Sequence, residues 1–452
     1  MKQHKWKKAG LLATAAVVAF VINGRAQSVD SLLDKLVDKG VLTVKEANEL
    51  RVEGDKDFDK AYAAKTGMPE WVTALKFNGD VRVRYENFTA ENPAFVDQNR
   101  FRFRLRFGAV ATFMDDFEAG FRLTSSQEQP SNQGGDPISG NATFTDNASK
   151  KYIFIDQAYG KWSPLKGPHL SGSLTVGKME NPFVFTDLVF DQDYTPEGLA
   201  MQSAYRFNDA QTVQLIGGAF VLDEVGGSSD DSYLYGVQAR LDSSWTTKIK
   251  TSAGVAGLFI VNDQSLVNAA VPNINRGNDR NPDPASFPVY NFNPIVADAS
   301  LTYMFDSAPL YTGPFPIKVG GDAIYNPAAP SASASLADNY GYSAGILIGK
   351  SGKKGTWELA YTWKYLGGNA WWEELVDSDF GAFYQVPLAN SGLGAGYGSG
   401  TGVQGHIVKL AYSPYDCITL SAKWFRTELL NGSPPGSDSI MNRVQVDALW
   451  KF

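Results

Sequence analysis

Residues 100–108 read RFRFRLRFG, so that Arg100, Arg102, Arg104 and Arg106 alternate with Phe101, Phe103, Leu105 and Phe107. Strict two-residue alternation is the mark of an extended strand, whose successive side chains point to opposite faces. One face of this strand is oily and the other densely cationic. The rhythm begins earlier, in FNGDVRVRY, where Phe77, Val81, Val83 and Tyr85 oppose Asp80, Arg82 and Arg84. It returns in FEAGFRL with Arg122, in YLYGVQARL, WELAYTWKY and ITLSAKW, and in the closing NRVQVDALWKF. From Leu75 onward helical periodicity is absent.

Short connections such as MDD (114–116), NDA (208–210), SGKK (351–354) and SPYD (413–416) take turns with long polar ones at 87–99, 125–151, 262–291 and 367–402. The pattern predicts about sixteen strands. A soluble sandwich also alternates, but its strands are shorter and share one core. Here the apolar face is rich in Phe, Tyr and Trp over strands of about ten residues, as in an antiparallel transmembrane β-barrel. Tyr340, Tyr342, Trp357, Trp363, Tyr365, Trp424 and Trp450 are candidates for its aromatic girdles. An even strand count leaves both chain ends on the periplasmic side, and sixteen strands enclose a water-filled lumen.

In that setting the arginines have one place to go. An arginine on the lipid face costs roughly 2–4 kcal/mol at the bilayer midplane. The phenylalanines therefore face lipid and the arginines the lumen. Residues two apart on a strand are separated by about 6.7 Å, so four arginines make a ladder about 20 Å tall. Neighbouring charges at that spacing repel by about 0.6 kcal/mol in water and by more where water is excluded. With Arg82, Arg84 and Arg122 on adjacent strands, such a wall needs anions beside it, either fixed in the protein or passing through.

The first residues, MKQHKWKKAGLLATAAVVAFVINGRAQS, join a lysine-rich start to an apolar run and end on small residues. The run is too short to cross a bilayer and reads as a secretory signal over residues 1–26, cleaved after Ala26. Residues 27–74 form a periplasmic preface. In it Leu32, Leu33, Leu36 and Val37 repeat at helical spacing, Gly40 ends that helix, and Thr43 with Glu46 makes a capping box for a second. Two such short helices are marginal alone and suit either a frayed extension or a small self-associating element. The formal charge of −7 argues against general nucleic-acid binding, and the lone Cys417 against a disulfide framework or a cysteine metal cluster.

The barrel occupies residues 75–452. One connection breaks its pattern: ENPFVFTDLVFDQDYTPEG, within 179–198, follows the fifth strand. It is aromatic (Phe183, Phe185, Phe190, Tyr194) and acidic (Glu180, Asp187, Asp191, Asp193, Glu197). Apolar groups together with carboxylates suit a segment folded into a polar lumen, with the arginine wall as partner of its acids.

These features together resemble Gram-negative outer-membrane porins, in particular the "putative porin" type with a helical periplasmic preface. The resemblance is carried by the preface, RFRFRLRFG, VGKMENPF, DQDYTPEG and a terminal Phe452. It implies that the connection between strands five and six narrows the pore. It also implies a homotrimer of independent channels in outer-membrane lipid and lipopolysaccharide. Trp450 and Phe452 would then form the signal read by the barrel-assembly machinery.

Catalytic chemistry has little to draw on. His4 lies in the signal, His169 in a short turn and His406 in a strand, so a serine–histidine–acid site is not expected. GTGVQG (400–405) leaves a glycine-rich loop and enters a strand, the reverse of a dinucleotide fingerprint. In DQDYTPEG, Thr195 and Pro196 stand where a calcium loop needs other residues. The expectation is a non-enzymatic channel without cofactor or metal, passing small hydrophilic solutes with a weak preference for anions. The competing reading is a membrane anchor or adhesin whose long external loops bind partners.

Overall fold

The computed structural model describes residue 69 and residues 71–128, 134–267, 277–281, 287–330, 338–384, 396–430 and 438–452. Of the two units of the chain, Met1–Val72 and Thr73–Phe452, the second holds the barrel. The signal over 1–26 and the two helices over 28–53 lie outside the described residues.

Nineteen strands occur among the described residues. The first group is β1 (Val72–Ala90), β2 (Gln98–Phe113), β3 (Phe117–Ser125), β4 (Ala142–Thr143), β5 (Ile153–Lys166), β6 (Leu170–Lys178) and β7 (Glu197–Asn208). Next come β8 (Gln211–Asp223), β9 (Ser232–Ser244), β10 (Ile249–Val261), β11 (Ile295–Phe305), β12 (Phe315–Tyr325), β13 (Tyr340–Gly349) and β14 (Thr356–Leu366). Last are β15 (Gly381–Tyr384), β16 (Gly396–Ser399), β17 (Val403–Tyr415), β18 (Ile418–Leu429) and β19 (Met441–Lys451). β15 and β16 form a hairpin of their own, and two-residue β4 sits beside β2. The other sixteen follow one another antiparallel around a wall that closes where β19 pairs with β1. The predicted fold class is borne out: an all-β barrel of sixteen strands.

Closure removes the open edge that a sheet cannot leave exposed in lipid. Short turns gather at the end where β1 starts and β19 stops, the periplasmic end of such a barrel. Across the wall the alternation sorts side chains by medium. Phe101 is 52% exposed on the outer surface, whereas neighbouring Arg102 is 7% exposed inside. On β5 the strict alternation breaks. Gln157 pairs with Arg122 and Ile155 with Leu123, which leaves Asp156 as an extra, bulged residue. The bulge turns both Asp156 and Gln157 inward, and the outward row resumes at Ala158.

The inner wall is polar toward the periplasm and apolar toward the outer ends of β8 to β12. There Phe220, Leu234, Leu258, Val296 and Ile324 are buried against segments that enter the barrel. One is 179–196, between β6 and β7, the fifth and sixth strands of the wall. Its Phe183 fits a notch made by glycines: a Cβ on Gly236 would lie 2.6 Å from that ring. The other is 367–380, with Trp371, Trp372, Leu375 and Phe380 buried. This second segment corrects the reading of 367–402 as a polar outside connection. Part of 125–151 is likewise internal, since Ile138, Ser139 and Asn141 are buried. The expected connection 87–99 shrinks to 91–97, because β1 and β2 run on past the alternating stretches.

Candidate functional site

The seven arginines of the sequence reading sit on the inner faces of β1, β2 and β3. Arg84 donates to both oxygens of Asp447, at 2.7 and 2.8 Å, and to Asp379 at 3.1 Å. Arg100 donates to Glu86 at 2.5 Å. Arg104 holds Asp80 at 2.9 Å and Asp193 at 3.2 Å. Arg106 donates to Asp193 at 2.7 Å, and Arg122 donates to the bulged Asp156. Arg82 and Arg102 bond to the side chain and the carbonyl of Asn141, at 2.7 and 3.2 Å. The repulsion expected of a bare ladder is thus offset by carboxylates interleaved with it. The Nε atoms of Arg82, Arg102 and Arg106 find no acceptor among the described residues.

The acids of the inward segment divide. Asp193 alone meets the arginines. Burial opposes ionisation of its carboxyl, but Arg106, Arg104 and Arg82 outweigh burial and hold it below the usual carboxylate range. Asp191 braces the two segments instead, accepting from the amides of Asp193 at 2.7 Å and Ser378 at 2.8 Å. Its carboxyl is pushed up by burial and by Asp193 and Asp377. Asp187 receives Lys364 on its carbonyl at 2.8 Å, and Glu197 pairs with Lys178 at 2.8 Å on the exposed side. Glu180 is exposed and makes no contact with the arginine wall. The expectation that all five oppose the ladder therefore narrows to Asp193: Asp191 accepts from backbone amides, Glu197 pairs with Lys178, Glu180 is exposed, and the Asp187 carboxylate is unpaired among the described residues.

The remaining partners of the wall come from residues not singled out as a site. Arg443 on β19 donates to Glu86 at 2.5 Å and to Asp379 at 2.7 Å, and its guanidinium lies 4.9 Å from the Phe88 ring. Asp379 is held well below the usual carboxylate range: burial works against ionisation, and Arg443, Arg84 and Lys423 prevail. A signal for the second segment was present in WWEELVDSDF, which mixes aromatics and acids just as 180–198 does. The two segments meet where Trp371 Nε1 donates to the Val189 carbonyl at 2.8 Å.

On the far arc of the wall, from β8 to β14, a cavity of about 450 Å³ lies beside Val184–Asp187. Gln214, Arg240, Asp242, Asp298, Lys318 and Thr362 are among the residues lining it. The inward segment is pinned there by Gln238, which donates to the Val184 carbonyl at 2.8 Å and accepts its amide at 2.9 Å. The lumen thus holds a crowded, charge-paired side and an open polar side. Trp450 and Phe452 lie on the outer surface near the seam.

A closed sixteen-strand barrel with a charged inner wall and inward-folded segments defines a porin-type membrane barrel. Residues 90–270 match the model of the family described as "Putative porin", which bears out the resemblance read from the sequence. No curated protein matches the chain. Among solved structures, similar folds include Salmonella typhi OmpF in complex with daunomycin, at 10% identity over 84% of this chain and 97% of that one, TM-score 0.46. A triple mutant of Rhodopseudomonas blastica porin is similar at 10% identity over 84% and 100%, TM-score 0.40. Vibrio cholerae OmpT lacking its loop L8 is similar at 10% identity over 84% and 99%, TM-score 0.41.

Proposed function

We propose that the chain is a non-enzymatic diffusion channel of the Gram-negative outer membrane that passes small hydrophilic solutes with a weak preference for anions. The observation that carries this is the polar cavity kept open inside a closed barrel, beside segments that narrow the lumen. An anchor or adhesin needs no such interior. The anion preference rests on a small imbalance. Eight arginines (the seven of the ladder and Arg443) stand against Asp80, Glu86, Asp156, Asp193, Asp379 and Asp447. Most of these groups are engaged with one another, so the excess acts on an ion through its field. Salt screens that field over about 8–10 Å, comparable to a narrow pore. The same reading includes export behind a cleaved signal, insertion by the barrel-assembly machinery, and a homotrimer seated in lipid and lipopolysaccharide.

Purified protein in a planar bilayer tests it. Stepwise conductance is expected, with a reversal potential in a potassium chloride gradient that leans toward chloride, more so at low salt. A folded, heat-modifiable barrel that does not conduct would leave the anchor reading in its place.

A further inference from the structure

The cavity between residues 184–187 and the β8–β14 wall contains charged groups that the arginine network does not use. Most are already satisfied. Arg240 donates to Asp298 at 2.7 Å, to Ser252 at 2.8 Å and to the Val184 carbonyl at 3.0 Å. Asp242 accepts from Gln214 at 2.7 Å. Two are not. The Lys318 ammonium, on β12, forms no hydrogen bond or ion pair with the described residues. The Asp187 carboxylate, on the inward segment, accepts no hydrogen bond from them either, since Lys364 reaches its carbonyl instead. One unpaired ammonium and one unpaired carboxylate therefore line the same cavity.

Resting on the channel reading, we infer that this cavity is a recognition site for small zwitterions, molecules of amino-acid type with one ammonium and one carboxylate. A simple anion meets Lys318 favourably and Asp187 unfavourably, and a simple cation the reverse. Only a solute with both charges gains at both ends. The cavity volume lies within the range of roughly 300–1,000 Å³ usual for small-molecule sites. Glycine keeps the Arg240–Asp298 pair folded flat against the wall: a Cβ on Gly254 would lie 2.5 Å from Asp298 and 2.7 Å from Arg240. Ser300 and Thr362 add hydroxyls that hydrogen-bond a solute without regard to sign.

The test uses the full-length protein in liposomes, with empty liposomes subtracted. Influx of β-alanine, methanesulfonate, choline and erythritol is measured at low concentration, each as a ratio to erythritol so that changes in pore width cancel. The expected result is that β-alanine enters several-fold faster than either singly charged solute. Lys318→Gln and Asp187→Asn each reduce that advantage, and the double variant abolishes it. Erythritol influx without a β-alanine advantage, or an advantage that survives in the double variant, overturns the inference and leaves the channel standing. A folded barrel that admits none of the four solutes overturns the channel reading and the inference with it.

Discussion

Arg106 donates to Asp193 at 2.7 Å, joining the second strand of the barrel to a segment 87 residues further along the chain. Arg104 reaches the same carboxylate, so one acid fixes the inward segment to two rungs of the ladder. Replacing Asp193 by Asn leaves both guanidiniums short of a charge. The reversal potential should move toward anions, and residues 179–196 should become cleavable by added protease. The opposite change, Arg102, Arg104 and Arg106 together to Gln, should move the potential toward cations at low salt. An unchanged potential in that triple variant would show that the ladder's field does not reach the route of the ion.

Trp371 joins the two inward segments. Its ring lies 6.0 Å from that of Phe190, and it is fully buried. Trp371→Ala removes the Val189 hydrogen bond and opens a void, at a cost of about 3–5 kcal/mol. Local melting of the outer lumen should follow, read as larger and noisier single-channel currents with the barrel still formed. Currents of unchanged size would mean that the segments do not narrow the pore.

The last residue makes two main-chain hydrogen bonds with Gly79, at 2.9 and 3.1 Å, completing the seam between β1 and β19. Deleting Phe452 should reduce the amount of folded barrel in outer membranes and leave unfolded protein in the periplasm. Normal levels of heat-modifiable protein after the deletion would count against the role given to this residue.

Acid should release the segments only below the usual carboxylate range. Asp193 faces Arg104, Arg106, Arg82 and Asp191, and Asp379 faces Arg443, Arg84, Lys423 and Glu86. Both carboxyls are depressed, so their contribution is present above the unfolded value of about 4 and is lost as pH falls through the folded one. Asp191 is raised and has the opposite sign: its contribution is present in acid and lost as pH rises. Protection from hydrogen exchange in 179–196 and 367–380, taken relative to the intrinsic rate at each pH, should therefore hold from neutral pH down to about pH 4 and fall below it. Release already at mildly acidic pH would mean that Asp191 governs the junction.

Inside and outside were legible wherever a strand has one wet face. The arginines of RFRFRLRFG, like Arg443 and Asp447 in the last strand, lie opposite the apolar row of their strands, a placement alternation alone implies because lipid disfavours the alternative. Pairing was not legible, because Arg84 and Asp447 are brought together by closure of the ring and not by any local spacing. Asp156 was invisible for another reason: a bulge breaks the parity on which strand reading depends. The inner apolar wall escaped because Ile216 and Phe220 share β8 with outward Leu215 and Val221, so both faces look oily. The incoming segments, with Phe183 against Phe220 and Leu188 and Trp371 in the same core, explain why.

The bidentate contact of Arg84 with Asp447 spans 363 residues, and the single hydrogen bond from Arg443 to Glu86 spans 357. Contacts of such separation form late, because the intervening chain must first surrender its freedom. Until β19 docks, Glu86 has Arg100 of β2 but not Arg443, and Arg84 lacks Asp447. The final strand thus delivers the counter-charges of the first, and a barrel one strand short is electrostatically incomplete as well as open. Ring closure and the pairing of Arg84 with Asp447 are a single event, which gives the unfinished chain a physical reason to wait.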